Sequence, residues 1–141
     1  MDGNDERNHI SERFNKINWH DSKLIEVYIT YAPDLHRNDV HLKLRLLTNA
    51  NAGSYEWTDA TLRIQDCTII RMNLDLTAKL TCSDDIAIAF CEKETSLKER
   101  IQREDLKYEV NPLADYLHFH VSLIAPAGGL DIFAKNFELE D

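Results

Sequence analysis

Between Asp39 and Leu46 the chain alternates without a break: Val40, Leu42, Leu44 and Leu46 are apolar, and His41, Lys43 and Arg45 between them are polar. A period of two residues suits an extended strand with one buried face and one wet face, because successive side chains of a strand point to opposite sides. Such a strand requires partner strands and a core beneath it. The rest of the chain must supply both.

It offers several candidates. Lys23 to Tyr31 is rich in β-branched and aromatic residues, with Ile25, Val27, Ile29 and Tyr31 expected on one face. Pro33, Asp34 and Asn38 lie between this segment and Asp39, which is turn chemistry for a hairpin. Asn49 to Ser54 reads as a loop. Ala60, Leu62 and Ile64 alternate again, Asp66-Cys67 breaks the phase, and Ile70, Met72, Leu74 and Leu76 resume it. Two antiparallel strands about a tight turn near Gln65 to Thr68 account for this break, and one long bulged strand is the alternative. Asp84 to Cys91 is assigned as a strand. Leu117, Phe119, Val121 and Leu123 form a further alternating run, and Ala125 to Gly129 turns the chain into Leu130 to Leu139. The phase slips near Lys135-Asn136, so either a bulge sits there or both faces are covered.

Two helices complete the count. Ile10, Phe14 and Ile17 form one stripe over Asp5 to Ile17. Ser96-x-x-Glu99 reads as a capping box opening a helix with Leu97 and Ile101 on one face. The expected fold is α+β, mainly β: an antiparallel sheet or sandwich of about seven strands with two short peripheral helices, in a single domain over residues 1–141.

The 141 residues suit one core, and 43% hydrophobic with 29% charged residues is an ordinary globular balance. The net charge of −9 repels phosphate backbones and disfavours nucleic-acid binding, while it favours a basic protein partner. Cys67, Cys82 and Cys91 are odd in number and lack C-x-x-C spacing, so all three are expected as free thiols in a reducing compartment. Met1 to Arg13 is polar, and no apolar run approaches the roughly 18 residues of a membrane span. The expectation is a cytoplasmic protein with no membrane partner.

Chemistry is sparsely marked. His118 and His120 project from the same face of a strand, close enough to share one metal ion. His41, Asp39 and Asp131 are further ligands if their strands are neighbours. The same two histidines also read as solvent-facing polar residues of a half-wet strand. Trp19-His20-Asp21-Ser22 is read as a structural turn, with Trp19 plugging one end of the core and Asp21 or Ser22 capping, because adjacent residues on an extended chain face apart. Tyr55 and Trp57, in or beside the polar loop, are candidate partner-binding aromatics. No nucleophile elbow, phosphate loop or dinucleotide fingerprint is present, and no catalytic residue or cofactor is assigned.

Trp19-His20-Asp21-Ser22 running into a hydrophobic strand, then Val40-x-Leu42-x-Leu44, then a Gly-Gly hairpin leading to Leu130-Asp131-Ile132 and an acidic tail, resembles a known layout. It is that of small, acidic, uncharacterised bacterial proteins of the polymorphic-toxin immunity-protein type. The resemblance implies a non-enzymatic module that neutralises a basic toxin domain. The alternative is a small metal-binding protein or metal-dependent enzyme using His118 and His120.

Overall fold

The computed structural model describes residues 3–51, 54–74, 85–104, 113–124 and 128–140. Helix α1 covers Gly3–Lys16 and is followed by β1 (Lys23–Ala32), a single 3-10 turn (Pro33–Leu35), β2 (Arg37–Asn51), β3 (Ser54–Gln65) and β4 (Ile69–Leu74). Then come β5 (Ile86–Glu92), α2 (Ser96–Glu104), β6 (Leu117–Leu123), β7 (Gly128–Ala134) and β8 (Asn136–Glu140). The fold is mainly β. Among the described residues, eight strands form two antiparallel four-stranded sheets, ordered β1-β2-β3-β8 and β4-β7-β6-β5.

The alternating run of β2 behaves as its pattern dictates. Val40, Leu42, Leu44 and Leu46 are buried in the core, while Lys43 and Arg45 are exposed. Ala60, Leu62 and Ile64 of β3, facing them in register, join the same layer. Leu117, Phe119, Val121 and Leu123 of β6, with Leu130, Ile132 and Ala134 of β7, supply the opposing layer. Helix α1 packs against β5 and β8 and sends Ile10 and Phe14 into the same core. Phe14 meets Trp19, Phe119 and Phe137 at ring separations of 4.7, 5.2 and 5.1 Å.

Both breaks in alternation are crossings from one sheet to the other. At Asp66-Cys67 the chain leaves β3 and enters β4 in the second sheet, so these strands are not the hairpin expected from the pattern. Asp66 takes a positive φ of 59° there, and Asp39 holds the corner by accepting the Asp66 N–H at 3.0 Å. At Lys135 the chain crosses back, with β7 in one sheet and β8 in the other. The apolar phase slips because the two strands face one core from opposite sides.

Three other expectations change. Of the loop expected over Asn49 to Ser54, Asn49 to Asn51 and Ser54 are paired strand, and residues 52 and 53 lie outside the described residues. An irregularity between Leu24 and Glu26 buries Leu24 and turns Ile25 out, and Ile29 and Tyr31 remain uncovered at the sheet edge. The cap of α2 is Thr95, whose Oγ1 accepts the Lys98 N–H at 3.2 Å; Ser96 is already the first helical residue.

Candidate functional site

The outer face of the second sheet carries the site. Antiparallel register brings Arg71 of β4 opposite Asp131 of β7, Asp131 opposite His120 of β6, and His120 opposite Phe90 of β5. These four form one row across the sheet, with His118 two residues from His120 on the same side. Helix α2 lies over one end of this face. Its apolar stripe, Leu97 and Ile101, packs with Phe133, Leu113, Ile69 and Tyr116 in a second, smaller cluster. That cover overturns the reading of His118 as a solvent-facing residue: only 3% of it is exposed. His118 stacks on Phe133 at 4.8 Å, and His120 stacks on Phe90 at 4.9 Å.

Both imidazoles converge on one carboxylate oxygen. His118 Nε2 lies 2.6 Å and His120 Nδ1 2.7 Å from Asp131 Oδ1. The other nitrogen of His118, Nδ1, lies 2.7 Å from Thr95 Oγ1, so the residue that caps α2 also orients the ring. The Thr95 hydroxyl rotates, and can donate to Nδ1 when Nε2 carries the proton or accept from Nδ1 when Nε2 is a bare lone pair. Burial lowers the His118 pKa, outweighing the opposing pull of Asp131. Burial by itself would raise Asp131, but the hydrogen bonds from His120 and His118 hold its carboxyl below the ordinary value. A neutral buried imidazole beside an ionised carboxylate is the protonation state that a metal ligand set requires.

The three donor atoms lie within 4.8 Å of one another. A tetrahedral ion about 2.1 Å from each donor would hold them roughly 3.4 Å apart. The imidazoles, now 2.6 and 2.7 Å from Asp131 Oδ1, would back away from it by about 0.8 Å, within the play of side-chain torsions. Two imidazoles and one carboxylate suit a first-row divalent ion and leave coordination positions for water or another ligand.

Above this group the outer face and α2 enclose an open cleft of about 690 Å³. Its floor includes His118, His120, Asp131 and Gly129; its walls include Phe90, Leu97, Arg71, Arg100 and Arg103. Gly128, next to the floor, has φ +91°, and a Cβ there would stand 1.7 Å from the Asn73 carbonyl oxygen, so the turn into β7 requires glycine.

The remaining sequence candidates lie elsewhere. His41 is on the outer face of the other sheet, stacked on Tyr28 at 4.4 Å and bonded to Thr30 Oγ1 at 2.8 Å. Asp39 is committed to Arg37 through contacts of 3.0 and 2.9 Å. Only Asp131 of the three extra ligands joins the pair. Trp19 is buried and its Nε1–H donates to the Phe14 carbonyl at 2.9 Å. Ser22, fully buried, accepts the Leu47 N–H on its hydroxyl at 3.1 Å, and its carbonyl accepts the Ile86 N–H at 2.7 Å. That turn therefore joins the two sheets. Trp57 is 40% exposed, with Lys23 Nζ 5.6 Å from its ring centre. The side chain of Tyr55 and all of Cys82 lie outside the described residues.

Sequence reasoning missed Thr95, Phe90 and the three cleft arginines. Arg100 and Arg103 stand three apart on one helix face, a spacing visible in the sequence, but nothing local ties them to Arg71. No protein-family model matches the chain, and no curated protein or solved structure shows a significant match to it.

Proposed function

We propose that this protein is a divalent-metal-binding domain, with His118 Nε2, His120 Nδ1 and Asp131 Oδ1 as its ligands. The observation that carries the reading is the convergence of three donors of the right chemistry, from two neighbouring strands, at the base of an open cleft. Its support extends to the second layer: Thr95 and the stacked Phe133 fix the ring of His118, as partners of metal-bound histidines do. Equilibrium dialysis against zinc or cobalt, followed by metal analysis, should find one equivalent per chain. His120→Ala and Asp131→Asn should abolish it, and a chelator should lower the melting temperature of the wild type. A chain that retains no metal, and whose melting is indifferent to chelator, overturns the reading.

A separate observation favours protein recognition as a second reading. Among the described residues strand β1 is a sheet edge, and Ile25, Ile29 and Tyr31 on it are 51%, 49% and 57% exposed. An edge of this kind accepts an added strand. The occupant is a basic protein, as for an immunity protein meeting its toxin, because the chain carries a net charge of −9. With the product of the neighbouring reading frame as probe, Ile29→Lys and Tyr31→Lys should abolish capture, and added salt should slow association. Capture indifferent to both overturns this reading.

A further inference from the structure

Five of the eight arginines are engaged: Arg7 with Asp115, Arg13 with Asn136 and the Phe137 ring, Arg37 with Asp39, Arg45 with Asp59, and Arg63 with Glu138 and Glu140. Arg71, Arg100 and Arg103 have no acidic partner among the described residues. All three line one cleft. Concentrating unpaired guanidinium groups costs mutual repulsion, which an anionic ligand would relieve.

We infer that the cleft between α2 and the outer face of the β4-β7-β6-β5 sheet binds a phosphorylated small molecule, its phosphate held by Arg71, Arg100 and Arg103. Guanidinium forks match phosphate oxygens in pairs, and three of them balance a doubly charged phosphate monoester better than a single carboxylate. Arg100 and Arg103 come from the helix and Arg71 from the edge strand β4, so two separate elements supply the groups that would hold the anion. The partly buried Phe90 and Leu97 form an apolar wall for the body of the ligand. A cleft of about 690 Å³ fits a small molecule. A nucleic-acid strand would extend beyond it onto a surface whose net charge is −9 and be repelled. The inference rests on the metal reading only in that a bound ion would sit at the base of the same cleft.

The test is calorimetric titration with inorganic phosphate, phenyl phosphate and benzoate, on chelator-treated and on cobalt-loaded protein. Phenyl phosphate should bind most tightly and saturably, with benzoate at least tenfold weaker. Arg100→Gln and Arg103→Gln, both exposed on α2, should each weaken phenyl phosphate at least tenfold with unchanged circular dichroism. Arg71→Gln, on β4, should act alike. Saturable binding to a chain that takes up no cobalt would sustain the anion site while the metal reading fell. Stoichiometric cobalt with no phosphate or phenyl phosphate binding in either form would overturn the anion site and leave the metal reading intact. Equal affinity for benzoate, or indifference to all three arginine changes, also overturns it.

Discussion

The side chain of Asn15 completes the backbone of Cys91 on both sides: Cys91 N–H donates to Asn15 Oδ1 at 2.8 Å, and Asn15 Nδ2 donates to the Cys91 carbonyl at 2.9 Å. The hydroxyl of Ser11, one helical turn earlier, donates to the same carbonyl. Among the described residues β5 is the edge of its sheet, and α1 here takes the hydrogen bonds that a neighbour strand would and blunts that edge. Asn15→Ala leaves the Cys91 N–H without its acceptor and the carbonyl with Ser11 alone, and should cost about 1–3 kcal/mol in urea unfolding. A loss under about 0.5 kcal/mol would mean that water replaces the amide without penalty.

The cap of α2 separates two neighbouring hydroxyls. Thr95→Ala removes the acceptor for the Lys98 N–H and the partner of His118 Nδ1, and should destabilise by about 1–2 kcal/mol. Ser96→Ala, at an exposed first helical position, should stay within about 0.5 kcal/mol. Equal effects of the two, measured by thermal unfolding, would refute the assignment of Thr95 as the cap.

Acid sensitivity should trace partly to Asp39. Burial alone would raise its pKa, but the Asp66 N–H, the Arg37 guanidinium and the charge of Arg63 together hold it below the ordinary 3.8. The unfolded chain therefore takes up this proton at higher pH than the folded one. Its stabilising contribution is complete above the unfolded value and is lost as pH falls through the lower folded value. Asp39→Asn should lower stability at neutral pH and flatten the loss as pH falls below about 4, read from urea midpoints. An unchanged acid limb in the variant would assign that limb to other carboxylates.

The two described thiols should be inert in the native state. Burial pushes the Cys67 thiol up to about 12, and burial likewise raises Cys91. The thiolate is the reactive form, so alkylation mapped by mass spectrometry at about pH 8 should spare both until denaturant is added. All three cysteines should then label without reductant. Fast native labelling of Cys67 or Cys91 would contradict their burial.

What the sequence could disclose about the site was limited by distance along the chain. His118-x-His120 was visible because two residues on one strand share a face by local geometry alone. Asp131 was one of three possible third ligands, and only pairing of β6 with β7 selects it over His41 and Asp39. The burial of His118 was not legible, because it depends on α2 crossing the sheet and on the contact between Ile101 and Phe133.

Alternating burial is a property of each strand by itself, so the sequence determined the β-rich class, the phase of β2 and β6, and the stripe that seats α1. Tertiary structure alone decided that the breaks at Asp66 and Lys135 are crossings between sheets. Hairpin, bulge and crossing leave the same interruption in the pattern, and differ only in which distant strand supplies the hydrogen bonds. It also decided that Arg71, Arg100, Arg103, His120 and Asp131 share one cleft. They come from β4, α2, β6 and β7, and long-range strand pairing together with the docking of α2 brings them together.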